Sequence, residues 1–175
     1  MSSAIEAAEE KGDSLALLII INCHASNYEM CEEGVSALYR VLSDKEVLDF
    51  GSSAPSMADT LSLCLRKHIK EPEMMEVVLG CMRLCASKSS TMQTLLCTEN
   101  IVELIIQAMC THINDEETVQ EQGCLVICEL AKNSDANIHL LRSLHIVRVL
   151  DQATGLITNE RNKKYPGLAK TALGL

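Results

Sequence analysis

A phrase that occurs twice constrains this chain more than anything else in it. The stretch 95–108, Leu-Leu-Cys-Thr-Glu-Asn-Ile-Val-Glu-Leu-Ile-Ile-Gln-Ala, returns at 140–153 as Leu-Leu-Arg-Ser-Leu-His-Ile-Val-Arg-Val-Leu-Asp-Gln-Ala, each position displaced by 45. Periods of about 40 to 47 residues without strand signals belong to stacked helical units, each of which hides its apolar side only against its neighbours. A glycine series carries the same period: Gly34, Gly80, Gly123 and Gly167 are 46, 43 and 44 residues apart, and Gly80-Cys81-x-x-Leu84-Cys85 is echoed by Gly123-Cys124-x-x-Ile127-Cys128. The expected organisation is one domain over 1–175 made of four units, about 1–43, 44–88, 89–132 and 133–175.

The composition fits an all-α core. Hydrophobic residues make up 47% of the chain, well above the level of disordered sequences, whereas aromatic residues make up 2%, with no Trp and only Phe50 as Phe. Such a core is built from Leu, Ile, Val, Met, Ala and Cys packed helix against helix. The long apolar run 15–21 is seven residues, too short for a bilayer crossing that needs about 20, and reads as a buried helix. No membrane partner is expected.

Three helices are expected in each unit. In the third they are Thr91 to Cys97, Asn100 to about His112, and Glu116 to Lys132, with Asn114-Asp115 as the turn and Asp115, Glu116 and Glu117 placed where acidic groups favour a helix start. The fourth gives Asn137 to Leu144, His145 to about Ile157, and Tyr165 onward, with Pro166 in the first turn. The second gives about Lys45 to Phe50, Ser56 to Ile69 and Glu73 to Ser87. At the amino end, Ser3 and Glu6 have the spacing of a capping box, and Gly12-Asp13-Ser14 ends one helix and starts another.

The nine cysteines, an odd number with no signal-peptide pattern before them, point to a reducing cytosol or nucleus. Most lie among apolar residues and read as small core hydrophobes. Cys81/Cys85 and Cys124/Cys128 set two sulfurs on one helical face, but zinc prefers the closer C-x-x-C spacing, so no metal and no cofactor is expected. His24, His68, His112, His139 and His145 fall near helix ends or turns and are assigned solvated or capping roles. There is no phosphate-binding glycine loop, nucleophile elbow or H-E-x-x-H helix, and no catalytic residue is assigned. A net charge of −9 with few aromatic residues also argues against nucleic acid. The single basic cluster, Arg161-Asn162-Lys163-Lys164, reads as a solvated loop.

Glu121-Gln122-Gly123-Cys124-Leu125-Val126-Ile127-Cys128-Glu129-Leu130-Ala131, followed by Asn137 and then Ile146-Val147-Arg148-Val149-Leu150, resembles an armadillo repeat, with two-helix HEAT-type repeats the nearest alternative. The resemblance covers about 89–160 clearly and the chain before residue 72 weakly. It implies a right-handed superhelix of three-helix units whose third helices line a groove for an extended peptide or partner protein. At the positions where peptide-binding members carry Trp and, four residues on, Asn, this chain has Ser36 and Arg40, Met82 and Ala86, Leu125 and Glu129, and Ala169 and Leu173. None matches, which weakens a nuclear-localisation-signal receptor and leaves groove binding in general, with Ser36, Arg40, Met82, Ala86, Leu125 and Glu129 as the candidate partner-binding residues.

Charge is distributed unevenly. Residues 89–135 carry 8 acidic and 1 basic side chain, whereas 136–175 carry 2 and 6. Ends of opposite sign suit self-association or a partner of matching polarity, although solvated faces give the same pattern. Two functions follow: a non-catalytic protein-interaction scaffold acting through the third-helix groove, or a regulatory or oligomerisation domain of a larger multidomain enzyme such as a kinase.

Overall fold

The computed structural model describes residues 2–44, 50–114 and 117–175. Among them the chain forms eleven α-helices and no strand: α1 Ser2–Glu10, α2 Ser14–Cys23, α3 Tyr28–Asp44, α4 Ala54–Lys67, α5 Pro72–Lys88, α6 Ser90–Leu96, α7 Glu99–Thr111, α8 Glu117–Ala131, α9 Asp135–Ser143, α10 Ile146–Leu156 and α11 Tyr165–Ala172. The fold is all-α. A single 3₁₀ turn, Gly51–Ser53, precedes α4. The helix expected at Lys45 to Phe50 falls mostly outside the described residues.

Local chemistry sets the boundaries. Gly12 adopts a positive φ of 62° and closes α1, and the Asp13 side chain accepts the Ala16 N–H at 3.0 Å to start α2. Ser89 and Ser134 cap α6 and α9 in the same way, accepting the N–H groups of Met92 and Asn137. Asn133, with φ 58°, supplies the left-handed residue that ends α8, at the expected boundary between the third and fourth units. Ser3, however, lies inside α1 rather than at its cap, because the helix already begins at Ser2.

The helices pack in two rows. In one, α3 lies on α5, α5 on α8 and α8 on α11; in the other, α2 meets α4, α4 meets α7 and α7 meets α10. The short helices α6 and α9 lie mainly against the preceding expected unit, α6 on α5 and α4 and α9 on α8, and α1 covers α2 and α3. One contiguous apolar core runs from Ile5 to Leu173 through both rows. Burying each large aliphatic side chain contributes about 1.5–3 kcal/mol relative to exposure. No single described helix is long and apolar enough to cross a membrane; α6 and α7 reach that length only as a pair bent by 75°, and their residues Met92, Leu96, Val102 and Ile105 are buried in this core.

Two of the sequence glycines hold the rows together by the absence of a side chain. A Cβ on Gly34 would stand 2.8 Å from Ile21 of α2, and one on Gly123 would stand 2.5 Å from the Met109 sulfur of α7, so helices of one unit meet backbone to side chain there. Gly80 serves a different contact: its missing Cβ makes room for the Tyr39 ring of the preceding unit, at 2.8 Å. Gly167 departs from the series, facing open space on α11.

The histidines also bind units together. His24, His68 and His112 occupy the C-caps of α2, α4 and α7, 44 residues apart. The His68 ring reaches back to the Ala25 carbonyl and the His112 ring to the Ile69 carbonyl, each at 2.9 Å. His68 and His112 are thus buried links between the expected units. The capping position was expected; the contact with the preceding unit was not.

Candidate interaction face

The outer surface of the row α3, α5 and α8 is the place to look for the expected groove. Its half-buried and exposed side chains are Glu32, Ser36, Tyr39 and Arg40 from α3, Glu73, Glu76, Val77 and Arg83 from α5, and Glu121, Gln122, Leu125 and Glu129 from α8. Tyr39, Glu76, Val77 and Gln122 line a small cavity of about 110 Å³ at the junction of the three helices. Gln122 Oε1 accepts from Arg83 Nε at 3.3 Å, which ties α8 to α5 at its rim.

Of the six residues expected to line a groove, four reach this surface. Ser36 donates to Glu32 at 2.9 Å, Arg40 forms a bidentate pair with Glu9 of α1 at 2.5 and 2.8 Å, Leu125 is half-buried, and Glu129 pairs with Lys132 at 3.4 Å. Met82 and Ala86 do not: both are buried, because α5 is packed by α3, α4, α6 and α8 and has little outward surface at those positions. Ala169 and Leu173 are likewise buried on α11. Half-buried Tyr39, Arg83 and Gln122 take the surface positions instead. Their common face depends on the offset between successive third helices, which no single repeat unit contains.

The electrostatics of the face are acidic on the amino-terminal side of the helices. Partial burial pushes the Glu121 carboxyl up from the usual carboxylate range, with the charges of Glu117 and Glu76 adding to the effect. Burial also raises the Tyr28 phenol, and Glu73, Glu32 and Glu71 raise it further. Glu117 is held low by hydrogen bonds, first from the Asn159 N–H and then from the Thr158 hydroxyl, both at 2.7 Å. Asn162 donates to Glu121 at 2.5 Å. The loop that carries the basic cluster is therefore tied to the start of α8 through its neutral side chains and backbone.

The carboxyl ends of the third helices are sealed by side chains. Lys88 donates to the Leu42 carbonyl at 2.6 Å, Gln93 to those of Glu129 at 2.7 Å and Lys132 at 2.5 Å, and Asn137 to that of Leu130 at 2.8 Å. Arg142 closes α11 through the carbonyls of Leu173 and Gly174. These bonds satisfy acceptors that helix ends leave open.

Among the described residues no group of three His, Cys, Asp or Glu side chains is arranged to hold a metal ion. Cys81, Cys85 and Cys124 are buried and Cys128 is half-buried. Burial raises the Cys81 thiol and pushes those of Cys85 and Cys124 up to about 12, which keeps them protonated and poor as ligands or nucleophiles. Cys31 and Cys64 touch at 3.6 Å between α3 and α4; the hydrogen bond between them, with burial behind it, raises the Cys64 thiol. No family model, no curated protein and no solved structure matches this chain.

Proposed function

We propose that this chain is a non-catalytic protein-interaction scaffold, an armadillo-like α-solenoid that binds a peptide or partner protein through the face formed by its third helices. The observation that carries the reading is the row α3, α5, α8 and α11, in which the third helix of each expected unit lies on the next. Stacking of equivalent helices at a period near 44 residues is the arrangement of helical repeat proteins, whose extended surfaces bind partners. The resemblance of 121–150 to an armadillo repeat supports the same reading. The repeated glycine and histidine contacts between helices support it independently.

On this face the side chains suited to an anchor are Tyr39, Val77 and Leu125, with Arg83 and Gln122 as polar contacts beside them. Aromatic, aliphatic and arginine side chains at the centre of an interface carry most of its energy. Affinity capture from a matching lysate with the wild-type chain, with Arg83→Glu and Leu125→Lys, and with Glu103→Lys on the outer side of α7 tests the reading. Partners lost with the first two variants and kept with the third are expected. The same partners retained by all three would exclude this face.

A further inference from the structure

We infer that copies of this chain associate head to tail, the outer side of α11 in one copy docking on α1 of the next. This goes beyond binding at the third-helix face and uses different residues. The inner side of α11 is filled: Pro166, Ala169 and Leu173 are buried, and the helix lies on α8 and α10. The outer side carries Leu168 and half-buried Ala172, four residues apart on one helical face, and exposed Leu175 follows the end of the helix past Gly174, which turns the chain with a φ of 69°. Leu168 is 45% and Leu175 is 58% exposed, two of the four large apolar side chains left in the open among the described residues.

Along the row each inner third helix has a neighbour on both sides, whereas α11 has α8 on one side and solvent on the other. At the opposite end α3 is covered by α1, which buries Ile5 and Ala8 against the core and turns Ser3, Ala4, Ala7 and Glu10 outward. This outward surface is shallow, because its apolar residues are alanines, and a leucine ridge can approach it closely.

Charge decides between the two ways of pairing. α1 has three glutamates, of which Glu9 is paired with Arg40 and Glu10 is exposed, and no basic residue within it, while exposed Arg161 and Lys164 stand before α11 in a segment where basic side chains outnumber acidic ones six to two. Pairing α11 with α11 about a two-fold axis would bring the Arg161 and Lys164 groups of both copies together. Docking α11 on α1 sets them beside carboxylates. Because the two contacting surfaces differ, each copy can bind one neighbour at either end, and association continues beyond a dimer into a ring or a filament. With Leu168 and Leu175 as its only large exposed apolar side chains, the contact is weak and reversible.

Sedimentation velocity of the full 175-residue chain over a wide concentration range, at low and high salt, tests the inference. The average mass is expected to rise with concentration and to fall with added salt as the exposed charges are screened. Leu168→Glu with Leu175→Glu should remain monomeric, and so should Ala7→Lys with Glu10→Lys. Mixed together, the two variants should form a complex that stops at one copy of each, since each retains the surface the other lacks. Circular dichroism and thermal unfolding check that the variants are folded, and the milder Leu168→Gln should weaken association at least threefold if the double leucine variant is not. A wild-type chain that is monomeric at every concentration and salt, or an Ala7→Lys/Glu10→Lys chain that still self-associates, would overturn the inference.

Discussion

The Nε2 atom of His112 lies 2.9 Å from the carbonyl oxygen of Ile69, and this contact is the repeat, one period on, of that between His68 and Ala25. A carbonyl can only accept, so each ring carries its proton on Nε2 and donates it across the boundary between units. Ile69 directly follows His68, so the helix end that reaches back is also the one reached by the next unit. Replacing His112 with Ala leaves the Ile69 carbonyl without its donor in a largely closed site. The expected loss is about 1–3 kcal/mol, or roughly 2–10 °C in the midpoint of thermal unfolding. A midpoint within about 1 °C of wild type would mean that the contact contributes nothing.

The glycines give predictions of opposite sign. Gly123→Ala puts a methyl group 2.5 Å from the buried Met109 sulfur, and overpacking of about 1–3 kcal/mol outweighs the gain of about 1 kcal/mol from better helix propensity. Gly167→Ala meets open space and keeps only the gain, so it stabilises by up to about 1 kcal/mol. Chemical denaturation of the pair reads both. Equal effects would contradict the packing of α8 against α7.

That pair also marks how far the sequence could be read. The all-α class and most helix limits, including the cap at Ser89 and the helix end at Asn133, are legible, because they follow from local patterning and caps. Gly167 matches the series in position yet has no helix over it, since the side it faces is the outer surface of the row. The histidine period was present as well, at 24, 68 and 112, but single-residue spacing does not say which carbonyl a ring will reach. Met82 and Ala86 hold the same repeat positions as Ser36 and Arg40, which reach the surface. Met82 and Ala86 are buried because α5 has neighbours on more sides than α3. Tyr39 against Gly80 had no sequence signal, because that contact is set by how far one helix is offset along the next.

Glu9 and Arg40 give a pH-dependent term. The hydrogen-bonded Arg40 guanidinium holds the Glu9 carboxyl below the usual carboxylate range. Because its folded value is the lower one, the pair contributes stability above the ordinary value of 4.5, and the contribution is lost as pH falls through the folded value. For a solvent-screened pair the size is below about 1 kcal/mol. Carbon-detected NMR titration should place Glu9 below the ordinary carboxylate value of 4.5, and Arg40→Gln should return it toward that value. A wild-type Glu9 that titrates at 4.5 or above would contradict the pair.

Thiol reactivity separates surface from core. Cys23 and Cys110 are exposed and should react with a maleimide within the first phase at neutral pH. Cys81, Cys85 and Cys124, buried and held protonated, should be labelled only when the chain unfolds. Peptide mapping by mass spectrometry after a short pulse assigns each site. Labelling of Cys81 at the rate of Cys23 in the folded protein would contradict the burial of α5.

The stacking of third helices is tested most directly by one NMR contact. The chain has three Tyr, one Phe and no Trp, so its aromatic resonances are few and the Tyr39 ring can be isolated by selective labelling. With a Cβ on Gly80 placed 2.8 Å from Tyr39 Cε2, the ring of α3 must lie against the backbone of α5. A strong nuclear Overhauser effect between the Tyr39 ring protons and the Gly80 Hα protons is expected. A well-resolved spectrum in which the ring shows no contact with α5 would contradict the row on which the proposed interaction face rests.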